Sequence, residues 1–151
     1  MLSDGEIIEE YVARTFPAVT ERQLIQATRN LERESYLPGS IIVREGMSPD
    51  RFYIITKGQI EVLVEASDGE RLVVARMGRG QYFGEIELLR GGTNIATIRA
   101  APETGVEVAA LNRETFQELL ATSATAREAL GRVAEERIAE NVNGRDGAHH
   151  A

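Results

Sequence analysis

Residues 77–100, MGRGQYFGEIELLRGGTNIATIRA, carry the types and spacing best suited to hold an anion next to a sugar. A glycine-spaced approach ends in Phe83-Gly84-Glu85, enters the run Ile86 to Leu89, and meets a Gly91-Gly92 break before Ile95 to Ala100. That order predicts a loop, one helical turn and a strand. Gly84 lets the backbone approach a ligand closely, and the free N–H groups that open a short helix suit a phosphate. The missing piece is an arginine where one would be expected.

Catalytic chemistry finds little support. Both histidines, His149 and His150, lie in the last three residues, so the body of the chain offers no imidazole base, and no cysteine occurs. Ser-His-Asp and Cys-His arrangements are therefore absent, as are the inward-facing histidines of a cupin-type metal site. Met77-Gly78-Arg79-Gly80 imitates the start of a dinucleotide loop, but the third glycine falls at Gly84 where Phe83 would have to be glycine. Only a hydrolase working with carboxylates alone stays open. No catalytic residue and no metal are expected.

The elements that must position these residues come in three blocks. From Asp4 to about Glu34 the pattern is helical, with Phe16-Pro17 as a break and Thr20-Glu21-Arg22-Gln23 as a capping box opening a second helix. Between Leu37 and Leu111 the texture changes to short runs separated by turn residues: Ile41 to Arg44, Phe52 to Thr56, Gln59 to Val64, Leu72 to Met77, Ile95 to Ala100 and Val106 to Leu111. Ile60, Val62 and Val64 alternate with Glu61, Leu63 and Glu65, and Ser67-Asp68-Gly69 supplies a hairpin turn. Many short strands with glycine turns predict a sandwich or jelly-roll barrel. After Leu111, Asn112 can cap a helix, and a longer one from about Thr125 to Asn141 carries Ala126, Leu130, Val133, Ala134 and Ile138 on one stripe.

The 151 residues suffice for one packed domain. A net charge of −7 argues against nucleic acid as partner, since phosphate contacts need clustered Lys and Arg. No stretch approaches the roughly 18 consecutive apolar residues of a membrane span, and the acidic N-terminus does not read as a signal peptide. A cytoplasmic protein is expected. Lys57 is the only lysine, an arginine bias that fits a GC-rich, bacterial coding sequence.

Phe83-Gly84-Glu85-Ile86-Glu87-Leu88-Leu89 followed by Asn94-Ile95-Ala96-Thr97-Ile98-Arg99-Ala100 resembles the phosphate-binding cassette of the cyclic nucleotide-binding domain family. Gly39, Glu45-Gly46, Asp50, Tyr53-Ile54-Ile55, Gly58, Gly69 and Gly80 match the family's further landmarks in order. The resemblance implies a mainly β fold, a double-stranded β-helix or jelly-roll barrel of about eight strands with flanking helices. It divides the chain into helices over 1–34, a β-roll over 35–111 with its cassette at 83–95, helices over 112–142, and a flexible tail over 143–151.

It also implies the site. Glu85 matches the glutamate that accepts from a ribose 2′-hydroxyl, and Phe83, Gly84, Glu85, Ile86 and Glu87 form the loop and backbone cradle. Asn94 replaces the phosphate-pairing arginine, Ile95 replaces a hydroxyl residue, and Glu87 stands where a small neutral residue is usual. These three departures predict that cyclic AMP or cyclic GMP binds weakly or not at all, unless Arg79 or Arg90 swings in.

Three readings follow. The first is a non-enzymatic sensor of changed affinity or ligand, with occupancy coupled to the C-terminal helix. The second is a degenerate domain serving only for dimerisation or docking of a protein partner. The third is the carboxylate-only enzyme. The apolar stripe of the last helix either pairs with a second subunit in a homodimer or folds back over the barrel. No DNA-binding module is expected to follow it.

Overall fold

The structure, a computed structural model, describes residues 4–17, 19–122 and 124–147, with the backbone alone for 4–7, 87, 125, 126 and 142–147. Two helices, α1 (Asp4–Thr15) and α2 (Glu21–Arg29), lead into β1 (Glu32–Tyr36), β2 (Ile41–Val43), β3 (Arg51–Glu65), β4 (Arg71–Gly78) and β5 (Tyr82–Phe83). Then follow α3 (Glu85–Arg90), β6 (Thr97–Ala100), β7 (Val106–Asn112), α4 (Arg113–Leu120) and α5 (Ala124–Gly147).

The strands pair antiparallel in the order β1-β7-β3-β6-β2, with β4 and β5 also on β3. The 15 residues of β3 thread both halves of the sheet: Arg51 to Gly58 pair with β7, and Gln59 to Glu65 with β4. Sequence spacing predicts two strands here, divided at Gly58. The structure makes them one, because Gly58 takes φ +76° and turns the strand without ending its ladder. A Cβ at Gly58 would lie 2.3 Å from the Gly105 carbonyl oxygen, so only glycine passes.

Alternation along β3 then feeds two cores. Phe52 and Ile54 face the helices and join Val12, Phe16, Phe116, Leu119 and Leu130, with the Phe52 and Phe116 rings stacked 4.7 Å apart. Tyr53 and Ile55 face the other way and meet Ile60, Val62, Phe83, Ile98 and Val108 inside the roll.

Local signals hold at the caps and the hairpin. Thr20 and Gln23 form the reciprocal capping box of α2, the Asn112 side chain accepts from the Thr115 N–H at 2.8 Å, and Asp68 accepts from the Glu70 N–H at 2.9 Å in the β3–β4 turn. Boundaries move elsewhere. Residues 32–34, expected in the N-terminal helices, belong to β1 because Glu32 to Tyr36 find their ladder on β7. Residues 143–147, expected as flexible tail, continue α5; a helix carries Gly144 at a propensity cost of about 1 kcal/mol and need not end there. Residues 148–151, with both histidines, lie outside the described residues.

Candidate functional site

Gly84 joins β5 to α3 at φ +94°, and a Cβ there would come within 2.7 Å of the Arg51 carbonyl oxygen. The cassette therefore lies directly on the start of β3, and Glu85 enters the roll at the first position of α3. Its carboxylate is 1% exposed, and Arg137 of α5 donates to Oε1 at 2.5 Å. The Arg137 guanidinium also lies over the Tyr82 ring, 4.9 Å from its centroid. Burial pushes the Tyr82 hydroxyl up to about 12, and the Glu85 charge adds to the rise. Two layers thus hold Arg137: a charge-assisted bond on one side and an aromatic face on the other.

A pocket of about 720 Å³ opens here, within the range of small-molecule sites. Phe83, Gly84, Glu85, Ile86, Asn94 and Ile95 all line it, so the structure brings together six of the seven residues singled out in the sequence. The side chain of the seventh, Glu87, lies outside the described residues. Phe83 is mostly core, 1% exposed and stacked on Tyr53 at 4.6 Å.

Asn94 has a structural task. Its Nδ2 donates to the Arg44 carbonyl at 3.0 Å, its N–H donates to the Met47 carbonyl at 2.8 Å, and its own carbonyl accepts from the Gly46 N–H at 2.8 Å. The residue in the arginine's place ties down the 44–47 turn. Neither arginine considered as a substitute reaches in. Arg79 donates from Nε to the Tyr11 hydroxyl at 2.6 Å, and Arg90 pairs with Glu135 of α5 at 3.0 Å.

Three of the four cations that line the pocket are already paired. Arg51 pairs with Glu34 and, at 3.3 Å, with Glu32; Arg76 pairs with Glu103 and, at 3.7 Å, with Glu61; Arg137 holds Glu85. Arg44, which is exposed, has no ion pair among the described residues. Asp50, Glu85, Glu136 and Glu140 stand against these four, so the lining carries no excess of positive charge for a phosphate.

The roof of the pocket is α5, the helix for which the sequence left open pairing with a second subunit or folding back over the barrel. Val133, Arg137 and Asn141 recur at every fourth residue and all line it. That spacing marks one face of a helix. The signal was present, but nothing local says which surface a helix face will meet. Of the stripe expected on this helix, Leu130 and Ala134 are buried, Val133 is at the pocket, and the Ala126 side chain is outside the described residues.

Among the described residues no group of three or more His, Cys, Asp or Glu could hold a metal. No helix among them is long and apolar enough to cross a membrane.

Comparison with known proteins shows the family and the fold. The sequence pattern of the family described as "Cyclic nucleotide-binding domain" matches residues 33–123. The cGMP-dependent protein kinase, isozyme 2, of Drosophila melanogaster is 35% identical over 106 residues, which cover 70% of this chain and 11% of the kinase.

Two solved structures share the mainly antiparallel jelly-roll sheet with flanking helices. One is the regulatory subunit of a cAMP-independent protein kinase A from Trypanosoma brucei, as a mutant bound to cAMP in the A site. It is 27% identical with a TM-score of 0.73, and the match covers 86% of this chain and 47% of that one. The mutant exchanges a glutamate for alanine, a threonine for arginine and a valine for alanine. The other is the corresponding subunit from Trypanosoma cruzi, bound to guanosine: 28% identical, TM-score 0.74, covering 87% of this chain and 46% of that one. The chain spans about a tenth of the Drosophila kinase and just under half of each subunit.

Proposed function

Since this chain belongs to the cyclic nucleotide-binding domain family, we propose that it is a non-enzymatic regulatory domain whose cassette takes an uncharged ribonucleoside in preference to a cyclic nucleotide. The observation that carries this is Asn94. The cassette keeps Glu85, buried at the pocket floor where ribose hydroxyls can donate to it, but the arginine position holds an amide committed to the Arg44 carbonyl. Losing one partner of a buried charge-assisted contact costs about 2–5 kcal/mol, or roughly 30-fold to several thousand-fold in affinity. A neutral ligand forgoes nothing there.

Two likenesses support the reading. The three positions exchanged in the T. brucei mutant have the spacing of Glu87, Asn94 and Ile95 here, and the residue types replaced, acidic, small polar and β-branched, are the same three kinds. The T. cruzi subunit holds guanosine, a nucleoside without phosphate.

Occupancy is read out by α5. It spans the pocket from α3 to β4, and a ligand enclosed between cassette and roof touches both, so it favours the seated position of the helix. Arg137 uses Oε1 of a carboxylate that has about four acceptor sites, which lets it share Glu85 with a ribose hydroxyl.

Calorimetric titration with adenosine, guanosine, cyclic AMP and cyclic GMP tests this. Nucleosides are expected to bind at least about 30-fold more tightly than their cyclic phosphates. Tighter binding of a cyclic nucleotide would sink the reading, and null titrations with all four would leave docking or dimerisation as the role of the fold.

A further inference from the structure

We propose that the outer face of the β3–β4 hairpin is a contact surface for a second copy of this chain. The surface lies on the outside of the roll, so it stands or falls apart from the nucleoside reading.

Alternation sends Ile60, Val62 and Val64 into the roll and Glu61, Leu63 and Glu65 outward. Cross-strand partners share a face, so Arg76 lies beside Glu61, Val73 beside Leu63 and Arg71 beside Glu65. Val74 is the extra residue of a bulge, and it brings Arg76 outward where strict alternation from Val73 would turn it in. The face therefore carries two rows: glutamate, leucine, glutamate on β3, and arginine, valine, arginine on β4.

The centre of these rows is out of place on a solvated sheet. Leu63 is 3% exposed yet joins neither core among the described residues, and Val73 beside it is 47% exposed. Leu63 floors a notch of about 170 Å³ bordered by Arg44, Met47, Arg71 and Thr97, and Met47 is 60% exposed. An apolar centre inside a charged rim has the make-up of a protein contact.

The charges name the partner. The chain carries −7 in all, so most of its surface repels a copy of itself, whereas Glu61, Glu65, Arg71 and Arg76 on this face cancel. Their arrangement is self-complementary as well. A twofold axis running along the strands between β3 and β4 lays β3 of each copy on β4 of the other, as in aligned sheet packing. Every glutamate of the two rows then faces an arginine, and Leu63 faces Val73. Within one copy Glu61 is held by Arg99 and Arg76 by Glu103. Glu65 and Arg71 are exposed and form no ion pair among the described residues, which leaves both to pair across the axis.

Sedimentation over a range of concentrations tests this, with thermal melting to confirm that each variant is folded. Wild-type protein is expected to pass from one chain to two as concentration rises. Glu65→Arg and Arg71→Glu each set like charges against one another across the axis, and each should weaken self-association about tenfold or more. Mixing the two variants in equal amounts restores opposite signs at both contacts, so the mixture should dimerise as wild type does although neither variant does alone. A wild-type chain that stays single at every concentration overturns the proposal. So does a dimer that both substitutions leave intact, or a mixture that associates no better than its components.

Discussion

Replacing Arg137 with methionine removes the charge that meets Glu85 while keeping most of the apolar stem against Tyr82. Glu85 is 1% exposed and Arg137 20%, so the pair is buried on the acidic side and partly wetted on the other. Breaking a buried pair by deleting one partner typically costs about 3–5 kcal/mol, because the remaining charge is left uncompensated. Here α5 can lift and admit water to Glu85, which limits the loss to about 2–3 kcal/mol. For a domain of this length that lowers the melting temperature by roughly 5–10 °C. The second effect concerns ligand. A loss of about 2 kcal/mol in seating α5 lowers the seated-to-lifted ratio roughly 30-fold, and nucleoside affinity falls with the seated fraction. Calorimetry and thermal melting of Arg137→Met and Glu85→Gln provide the assay. Both variants should lose stability and affinity, Glu85→Gln the more in affinity since it alone replaces the carboxylate with an amide, whose single acceptor oxygen must then serve both Arg137 and the ribose hydroxyls. If Arg137→Met melts within about 1 °C of wild type and binds nucleosides unchanged, the helix is not held by this pair and its coupling to the pocket is refuted.

Two further outcomes are expected. Changing Glu87→Ala, Asn94→Arg and Ile95→Ser together should raise cyclic AMP affinity by about 30-fold or more in calorimetry. The accompanying loss of the Asn94–Arg44 bond should cost about 1 kcal/mol of stability. Burial pushes the Tyr53 and Tyr82 hydroxyls up to about 12 in the folded chain, so both stay neutral where unfolded tyrosines, near 10, would ionise. The stability this provides is complete below about pH 10 and is lost as pH rises from there toward 12. Denaturation midpoints should fall over that window and part of the tyrosinate absorbance should appear late; ordinary titration of Tyr53 and Tyr82 near 10 would contradict the burial argument.

Short-range order was legible because it depends on near neighbours. The capping box at Thr20, the cap at Asn112 and the Asp68-Gly69 turn are each closed by atoms within a few residues, so composition alone announces them. The family identity was legible for the same reason, as the cassette is one contiguous stretch. Boundaries set by distant partners were not. β1 begins at Glu32 because β7 lies beside it, and β3 runs through Gly58 because its ladder partners continue on either side.

The same division runs through the site. Sequence by itself determined that this chain carries a cassette with Glu85 retained and its phosphate arginine replaced, since residue identity decides which charges exist. Tertiary structure decided what those residues meet. It turned the Asn94 amide to the Arg44 carbonyl, held Arg79 and Arg90 on other helices, and laid Arg137 and Asn141 over a pocket more than 40 residues away in the chain. A helix face shows in sequence only as a period of apolar and polar residues. Which surface it covers depends on how the whole roll packs its two cores, and only the folded chain sums those contacts.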